Sequence, residues 1–324
     1  MHYRQLGKSG IEVSEIGFGA WAIGGDAWGP VEDRNSVETI TRALELGVTF
    51  IDTADVYGDG RSEKLVAQAI KGQRAKLVIA TKGGLMGHHR DPKREPVYDR
   101  PEKVIQACDN SLRRLETDYI DVYFCHLWWD KPEETEAFMR AFEELKKAGK
   151  IRLAGVSTED FAYIQHFNRE GTLDVVELDY SLLNRKVEKE VLPYLKERGI
   201  GVVVRGPLRM GLLTGKFNSQ STFPEGDIRQ NWPKEAWFKE SLAKVERLRP
   251  LTENNQAGLA SLGQLALRFV LTHEAVSVAI PGAKTPQQVE ENVAASIRPL
   301  LSEDEQRKIE EVTGTLAGSS NSGS

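Results

Sequence analysis

The chain has 324 residues and a mass of 36.2 kDa, with 40% apolar and 28% charged residues, a composition that excludes disordered and fibrous classes and a length that suits one large domain or two smaller ones. Basic residues number 43 against 48 acidic ones, a net charge of −5, so no basic excess is available to neutralise a nucleic-acid backbone. Two cysteines, Cys108 and Cys125, are too few for a disulfide framework or a four-thiolate zinc site. The opening MHYRQLGKSG lacks the apolar core of a signal peptide, and no apolar run nears the roughly 20 residues that cross a bilayer. The expectation is a soluble, cytoplasmic protein with a small-molecule substrate and neither membrane nor nucleic-acid partners.

In chain order, Tyr3–Leu6 and Ile11–Val13 flank Gly-Lys-Ser-Gly, the pattern of a hairpin that could plug the floor of a barrel. Apolar, β-branched runs then alternate with amphipathic charged stretches. Strands are expected at Ile16–Trp21, Val48–Ala54, Leu77–Lys82, Ile120–His126, Ile151–Ser157, Val175–Tyr180, Gly201–Arg205 and Val276–Ile280. Helices are expected at Arg34–Leu46, Arg61–Lys71, Pro101–Leu115, Glu133–Gly149, Glu159–Asn168, Glu188–Arg198, Gly258–Thr272 and Pro286–Ala295. Pro101 and Pro286 suit first helical positions, and Gly47, Gly149 and Gly199 suit helix ends. Lys216–Trp237, polar and broken by Pro224, Gly226 and Pro233, reads as a long loop over a barrel mouth. Ser302–Val312 reads as an additional C-terminal helix. Eight successive strand–helix units imply an α/β fold of the (β/α)8 TIM-barrel class, with the N-terminal hairpin and the extra helix appended. A pair of α/β half-domains is the alternative, but no linker divides the chain. One barrel domain over residues 1–316 and a flexible Gly/Ser tail over 317–324 follow from this pattern.

In such a barrel the chemistry collects at the C-terminal ends of the strands. Three consecutive strands deliver Asp52, Lys82 and His126 to that rim, and Tyr57 follows Asp52 by five residues. An ammonium beside a phenol favours the phenolate and lowers its pKa from about 10. A carboxylate keeps the ammonium charged, and an imidazole can orient a carbonyl. The set suits proton transfer at a carbonyl or alcohol oxygen. Taken singly, each residue has an ordinary alternative: a turn cap for Asp52, packing for Tyr57, solvent contact for Lys82, a core histidine for His126. Their convergence on one rim favours chemistry. A Schiff-base role for Lys82 is disfavoured by the adjacent carboxylate.

Asp52-Thr-Ala-x-x-Tyr57-Gly, Lys82 and His126 resemble the catalytic tetrad of the aldo-keto reductases. Phe18–Trp21 (FGAW), Gly155–Ser157 (GVS), Pro207–Lys216 (PLRMGLLTGK) and Ile280–Asn292 (IPGAKTPQQVEEN) resemble that family in the same order, over almost the whole chain. The resemblance implies an NADP-dependent oxidoreductase interconverting carbonyls and alcohols, with Tyr57 as general acid/base, Asp52 and Lys82 tuning it and His126 orienting the substrate. A non-catalytic NADP-binding regulatory protein on the same barrel is the alternative.

No G-x-G-x-x-G follows the first strand, so a Rossmann mode of binding is not indicated. Gly282, Lys284, Gln288, Glu291 and Asn292 instead surround the start of the last barrel helix, whose free N–H groups and positive dipole end suit phosphate. Lys284 favours NADP(H), with NAD(H) the alternative. Arg205, Gly206, Pro207, Leu208, Gly211 and Lys216 are expected over the pyrophosphate and nicotinamide, and Ser157 and Thr158 at the carboxamide. Three positions depart from the family pattern: Thr158 stands where Asn is usual, Glu177 where Gln is usual and Arg205 where an aromatic ring is usual. The last two suggest a guanidinium stacked on nicotinamide and held by Glu177. Trp21, Trp128 and Trp232 are candidate substrate-pocket walls, with Trp129, Trp237, Asp130 and Arg209 as further contacts, and aryl aldehydes, quinones or sugars would suit them. No metal site is expected; His88 and His89 lie in a polar loop. The substrate, the reaction direction and the oligomeric state are left open.

Overall fold

The structure is a computed structural model that describes residues 1–29, 31–85, 97–126, 132–253 and 256–314. A hairpin of β1 (Tyr3–Gln5) and β2 (Glu12–Ser14) precedes eight parallel strands: β3 (Phe18–Gly19), β4 (Phe50–Asp52), β5 (Val78–Gly83), β6 (Ile120–Cys125), β7 (Ile151–Ser157), β8 (Val175–Asp179), β9 (Gly201–Arg205) and β10 (Val278–Ala279). They pair in chain order from β3 to β10. Parallel bridges from Ile16 to Ala279 and from Gly19 to Gly282 join the two ends and close the barrel. At this seam Gly17 N donates to Ala279 O at 2.8 Å and Ala279 N to Glu15 O at 2.9 Å. Glu15 also holds Arg268 at 2.6 Å and Arg4 at 2.7 Å, so one buried carboxylate ties the hairpin and an outer helix to the closing strands.

The outer layer comprises α1 (Trp21–Gly24), α2 (Asp33–Glu45), α3 (Arg61–Ala69), α4 (Pro101–Leu115), α5 (Pro132–Lys147), α6 (Phe161–Phe167), α7 (Val191–Arg198), α8 (Ala236–Leu248), α9 (Leu262–Thr272), α10 (Pro286–Ala294) and α11 (Glu303–Thr313). Local chemistry accounts for their limits. Asp160 accepts from Tyr163 N at the start of α6, Ser261 and Thr285 do the same for α9 and α10, and Ser302 with Glu305 forms a reciprocal capping box on α11. In α4, Val104, Cys108, Ser111, Leu112 and Leu115 form one buried stripe at helical spacing, facing the sheet.

Strand pleating divides the core in two. Outward residues such as Ile51, Ile79, Tyr123, Val156 and Val176 pack under the helices. Inward residues Phe50, Val78, Ala80, Val122, Phe124, Val175, Val203 and Val278 fill the barrel together with Leu6, Ile11 and Val13 of the hairpin, which therefore closes the floor. A Cβ on Gly155 would fall 2.4 Å from Phe124 Cδ1, so the missing side chain lets that ring cross the lumen. With the lower layers solid, the polar inward residues can stand only at the upper, C-terminal rim.

Most element bounds shift by a few residues from the sequence expectation, and four differences stand out. β3 ends at Gly19, because the chain turns directly into α1, and Trp21 begins a helix rather than ending a strand. β10 is also shorter than expected. α9 starts at Leu262 behind its Ser261 cap, not at Gly258. The segment after β9 contains the unanticipated α8 in addition to its loop, with Phe238, Val245 and Leu248 buried. Trp128, Trp129, Asp130, His88, His89 and the 317–324 tail lie outside the described residues. Among the described residues no helix is long and apolar enough to cross a membrane.

Candidate active site

The pleat of β4, β5 and β6 turns Asp52 and Lys82 inward at the rim, and His126 immediately follows β6 with its N–H on Gly83 O at 2.8 Å. Tyr57 comes from the turns after β4. The Lys82 ammonium is fully buried and sits 2.5 Å from Asp52 Oδ1, 3.1 Å from Thr53 O and 3.5 Å from Tyr57 Oη. The His126 ring meets the Tyr57 ring edge-on, with centroids 6.3 Å apart, and Trp21 stacks on Tyr57 at 6.0 Å. The four residues singled out from the sequence thus form one contiguous group, with Trp21 as a wall beside them.

A fifth residue joins them from the opposite side of the barrel. Glu177, buried on β8, places Oε2 3.1 Å from Lys82 Nζ and accepts from Ser157 Oγ at 3.1 Å through Oε1. The expected pairing of Glu177 with Arg205 is not formed. Arg205 instead reaches Glu159 at 2.8 Å and lies 4.0 Å from Asp179, which also takes Arg209 at 2.9 Å. Lys82 wins Glu177 because its stem crosses the lumen, whereas Arg205, at the very end of β9, points toward the rim acids. Asp179 and Glu159 were not anticipated. Asp179 was detectable, since Val175, Glu177 and Asp179 share one face of β8 by simple alternation.

Burial decides the electrostatics. Burial pushes the Tyr57 phenol above its ordinary value, Lys82 offsets only part of that, and the charges of Asp52 and Glu177 reinforce the rise. Lys82 therefore acts on Tyr57 in the expected direction, but burial outweighs it and the net shift is upward. Burial works against the Lys82 ammonium, but Asp52 and Glu177 outweigh it and raise its pKa. Asp52 is raised well above the usual carboxyl range, first by burial and then by Glu177, with Lys82 opposing.

Behind the group lies Asp55, whose N–H donates to Lys82 O at 3.2 Å. Burial, reinforced by Glu63 and opposed by Arg114, pushes its carboxyl up to about 8. A raised folded-state pKa contributes stability that is fully present below the unfolded value of about 3.9 and is lost as pH rises through the folded value. The stability of the wild type minus that of Asp55→Asn should therefore fall from about pH 4 upward and level off above about pH 8, read from urea midpoints across that range.

The remaining rim offers a cradle for an anionic dinucleotide. Strands β7 to β10 follow one another around the barrel, so Ser157, Thr158, Glu177, Arg205 and Gly282 share one arc of the rim. Gly206 adopts φ 65° and Gly211 φ 87°, left-handed conformations that bend Pro207 and Leu208 over this arc. Thr158 is engaged in its own turn, accepting from Asp160 N at 3.2 Å. In α10, Gln288 accepts from Lys284 N at 2.8 Å, Asn292 is buried and Glu291 stands by Gly263. Lys284 Nζ donates to Trp28 O, and burial, followed by the charges of Arg229 and Lys216, pulls its pKa down. Lys216 is lowered by the same causes, burial first and Arg229 next. Arg229, not singled out from the sequence, grips Asp227 with two hydrogen bonds of 2.8 and 2.6 Å and packs over Trp28. Three crowded cations, the two lysines among them with depressed affinity for their own protons, are suited to receive phosphate. The cradle therefore fits the dinucleotide that the sequence suggested. Trp232 does not join Tyr57. Its described ring contacts are with Phe223, Trp237 and Phe238, an aromatic core within the long segment after β9.

The chain is similar to known proteins over nearly its whole length. A family model described as the aldo/keto reductase family matches residues 15–313. The aldo-keto reductase YhdN of Bacillus subtilis is 38% identical over 296 residues, covering 90% of this chain and 87% of that one. The NADH-specific methylglyoxal reductase of Escherichia coli is 36% identical over 311 residues, covering 90% and 92%. A solved aldo/keto reductase from Klebsiella pneumoniae, in complex with NADP and acetate, superposes with a TM-score of 0.74 at 27% identity, covering 97% and 96%.

Proposed function

The chain belongs to the aldo/keto reductase family, a family of NADP-type oxidoreductases, and from that premise we propose that it reduces small aldehydes and ketones, and oxidises the corresponding alcohols, with Tyr57 as the proton donor and acceptor. The observation that carries this reading is the Tyr57 hydroxyl set against a buried ammonium, with an imidazole edge-on to its ring, at the open end of the barrel.

NADP(H) would be held by the arc from Ser157 to Asn292, with Lys284, Lys216 and Arg229 toward its phosphates and Ser157, Thr158 and Glu177 toward the carboxamide. When bound, it supplies or accepts a hydride at the carbonyl carbon. Tyr57 donates its proton to the oxygen as negative charge develops there, and Lys82 stabilises the phenolate that remains. His126 fixes the carbonyl direction, and Trp21 walls one side of the space. Asp52 holds Lys82 in place. Arg205 and Arg209, occupied by Glu159 and Asp179, shape the polar side of the mouth.

Oxidation of NADPH and NADH, followed spectrophotometrically with a panel of aldehydes, ketones, α-dicarbonyls and sugars, tests the reaction; no turnover across the panel despite cofactor binding would favour the non-catalytic alternative. One relative is NADH-specific by name, so the preference for NADPH rests on the cation cluster. Lys284→Met should weaken NADPH binding about tenfold, or about 1.4 kcal/mol, and leave NADH binding nearly unchanged, as measured by fluorescence titration. Equal weakening of both would place Lys284 away from the 2′-phosphate.

A further inference from the structure

Glu177 brings a charge imbalance to the catalytic group. Among the described residues at this part of the rim, Asp52, Glu177, Asp179 and Glu159 supply four carboxyl groups against the three cations Lys82, Arg205 and Arg209. Arg205 is taken by Glu159 and Arg209 by Asp179, at 2.8 and 2.9 Å. Lys82 alone then faces two carboxyl groups, at 2.5 and 3.1 Å, with all three side chains at least 96% buried. Glu177 Oε2 makes no hydrogen bond of its own, and the two carboxyl groups converge on the same Lys82 Nζ. Two buried carboxylates around one ammonium would leave one charge uncompensated, and such a pair retains a proton instead.

We propose that Asp52 and Glu177 share a single proton around Lys82, and that Glu177 is thereby a positioning residue that sets the charge behind Tyr57. The charged and titratable groups facing this pair are Lys82 from β5, Tyr57 and Asp55 from the turns after β4, His126 after β6, and Arg205 from β9 with Asp179 beside it. Below the ionisation of the pair the group around Lys82 is neutral. Above it a negative charge appears beneath the nicotinamide site. The oxidised nicotinamide is cationic and the reduced one neutral, so the preference for NADP+ over NADPH must rise with pH through that ionisation. This consequence rests on the nicotinamide placement proposed above; the shared proton itself does not.

The direct test is infrared spectroscopy of the cofactor-free protein at pH 7. The wild type minus Glu177→Gln difference should contain the band of a protonated buried carboxyl, with Asp55→Asn measured in parallel to identify the contribution of Asp55. If Glu177→Gln does not fold, a carboxyl 13C NMR titration of the wild type should show the pair losing its proton above the ordinary carboxyl range. Two fully ionised carboxylates at pH 7 in either measurement overturn the proposal. Fluorescence titrations of NADP+ and NADPH between pH 6 and 10 should then show the affinity ratio changing about fivefold or more in the wild type and staying flat in Glu177→Gln. A carboxyl band with a flat wild-type ratio upholds the shared proton and overturns the placement of nicotinamide over Glu177.

Discussion

Tyr57→Phe should lower kcat for carbonyl reduction by about 10²–10⁴-fold while leaving NADPH affinity within about twofold. The variant removes one oxygen and keeps the ring that stacks on Trp21 and meets His126, so the surrounding packing persists. It takes away the only hydroxyl placed against Lys82 at 3.5 Å among the described residues. The pH dependence follows from the sign of the shift. Burial raises the phenol above its ordinary value of about 10, so it remains a proton donor throughout the neutral and mildly alkaline range. Wild-type reduction should therefore show no loss attributable to Tyr57 below about pH 10, whereas alcohol oxidation, which needs a proton acceptor, should climb with pH. Single-turnover kinetics separate this chemistry from cofactor release. A variant with wild-type kcat, or one whose NADPH affinity collapses with it, would remove Tyr57 from the acid/base role.

Much of the fold and half of the site were legible because they depend on local rules. Strand alternation and helix caps set the order of the eight units, and the end of each strand marks the rim. Asp52, Lys82 and His126 could thus be placed by counting along β4, β5 and β6. The partner of Glu177 could not. Lys82 and Glu177 meet across the lumen from β5 and β8, and nothing in either local sequence says which of two available cations the glutamate will meet. Arg205 was the obvious choice, but Asp179 and Glu159 had already claimed it. The sign of the Tyr57 shift was hidden for the same reason. A lysine in the neighbourhood is visible in sequence, whereas the depth of burial and the additional carboxyl group opposing it are not. The missed helix α8 differs. Phe238, Val245 and Leu248 carry a readable stripe, but the loop read over Lys216–Trp237, with Pro224, Gly226 and Pro233, overlapped its start and the residues that follow were assigned to no element. Trp232 was misplaced with it, because a tryptophan beside a mouth and one inside a satellite core look alike in sequence.

Lys82→Met should unfold more easily at neutral pH by about 3–5 kcal/mol, the usual cost of stripping the partner from buried charge. Methionine fills much of the space of the lysine stem, so cavity formation contributes little and the loss is electrostatic. The folded-state pKa of Lys82 is raised, so the ammonium's contribution is fully present below its unfolded value of about 10.4 and is lost only as pH climbs through the higher folded value. At pH 7 the variant thus forfeits all of it. What remains is Asp52 beside Glu177 with no cation between them, and these groups escape the penalty by binding protons. The stability deficit should accordingly shrink as pH falls from 7 toward 5, read from urea midpoints of the two proteins at each pH. Reduction should drop by about 10²-fold or more, because Tyr57 loses the charge that stabilises its phenolate. A pH-independent deficit would instead identify packing as the role of Lys82, and a stable variant without activity would confine the ammonium to catalysis.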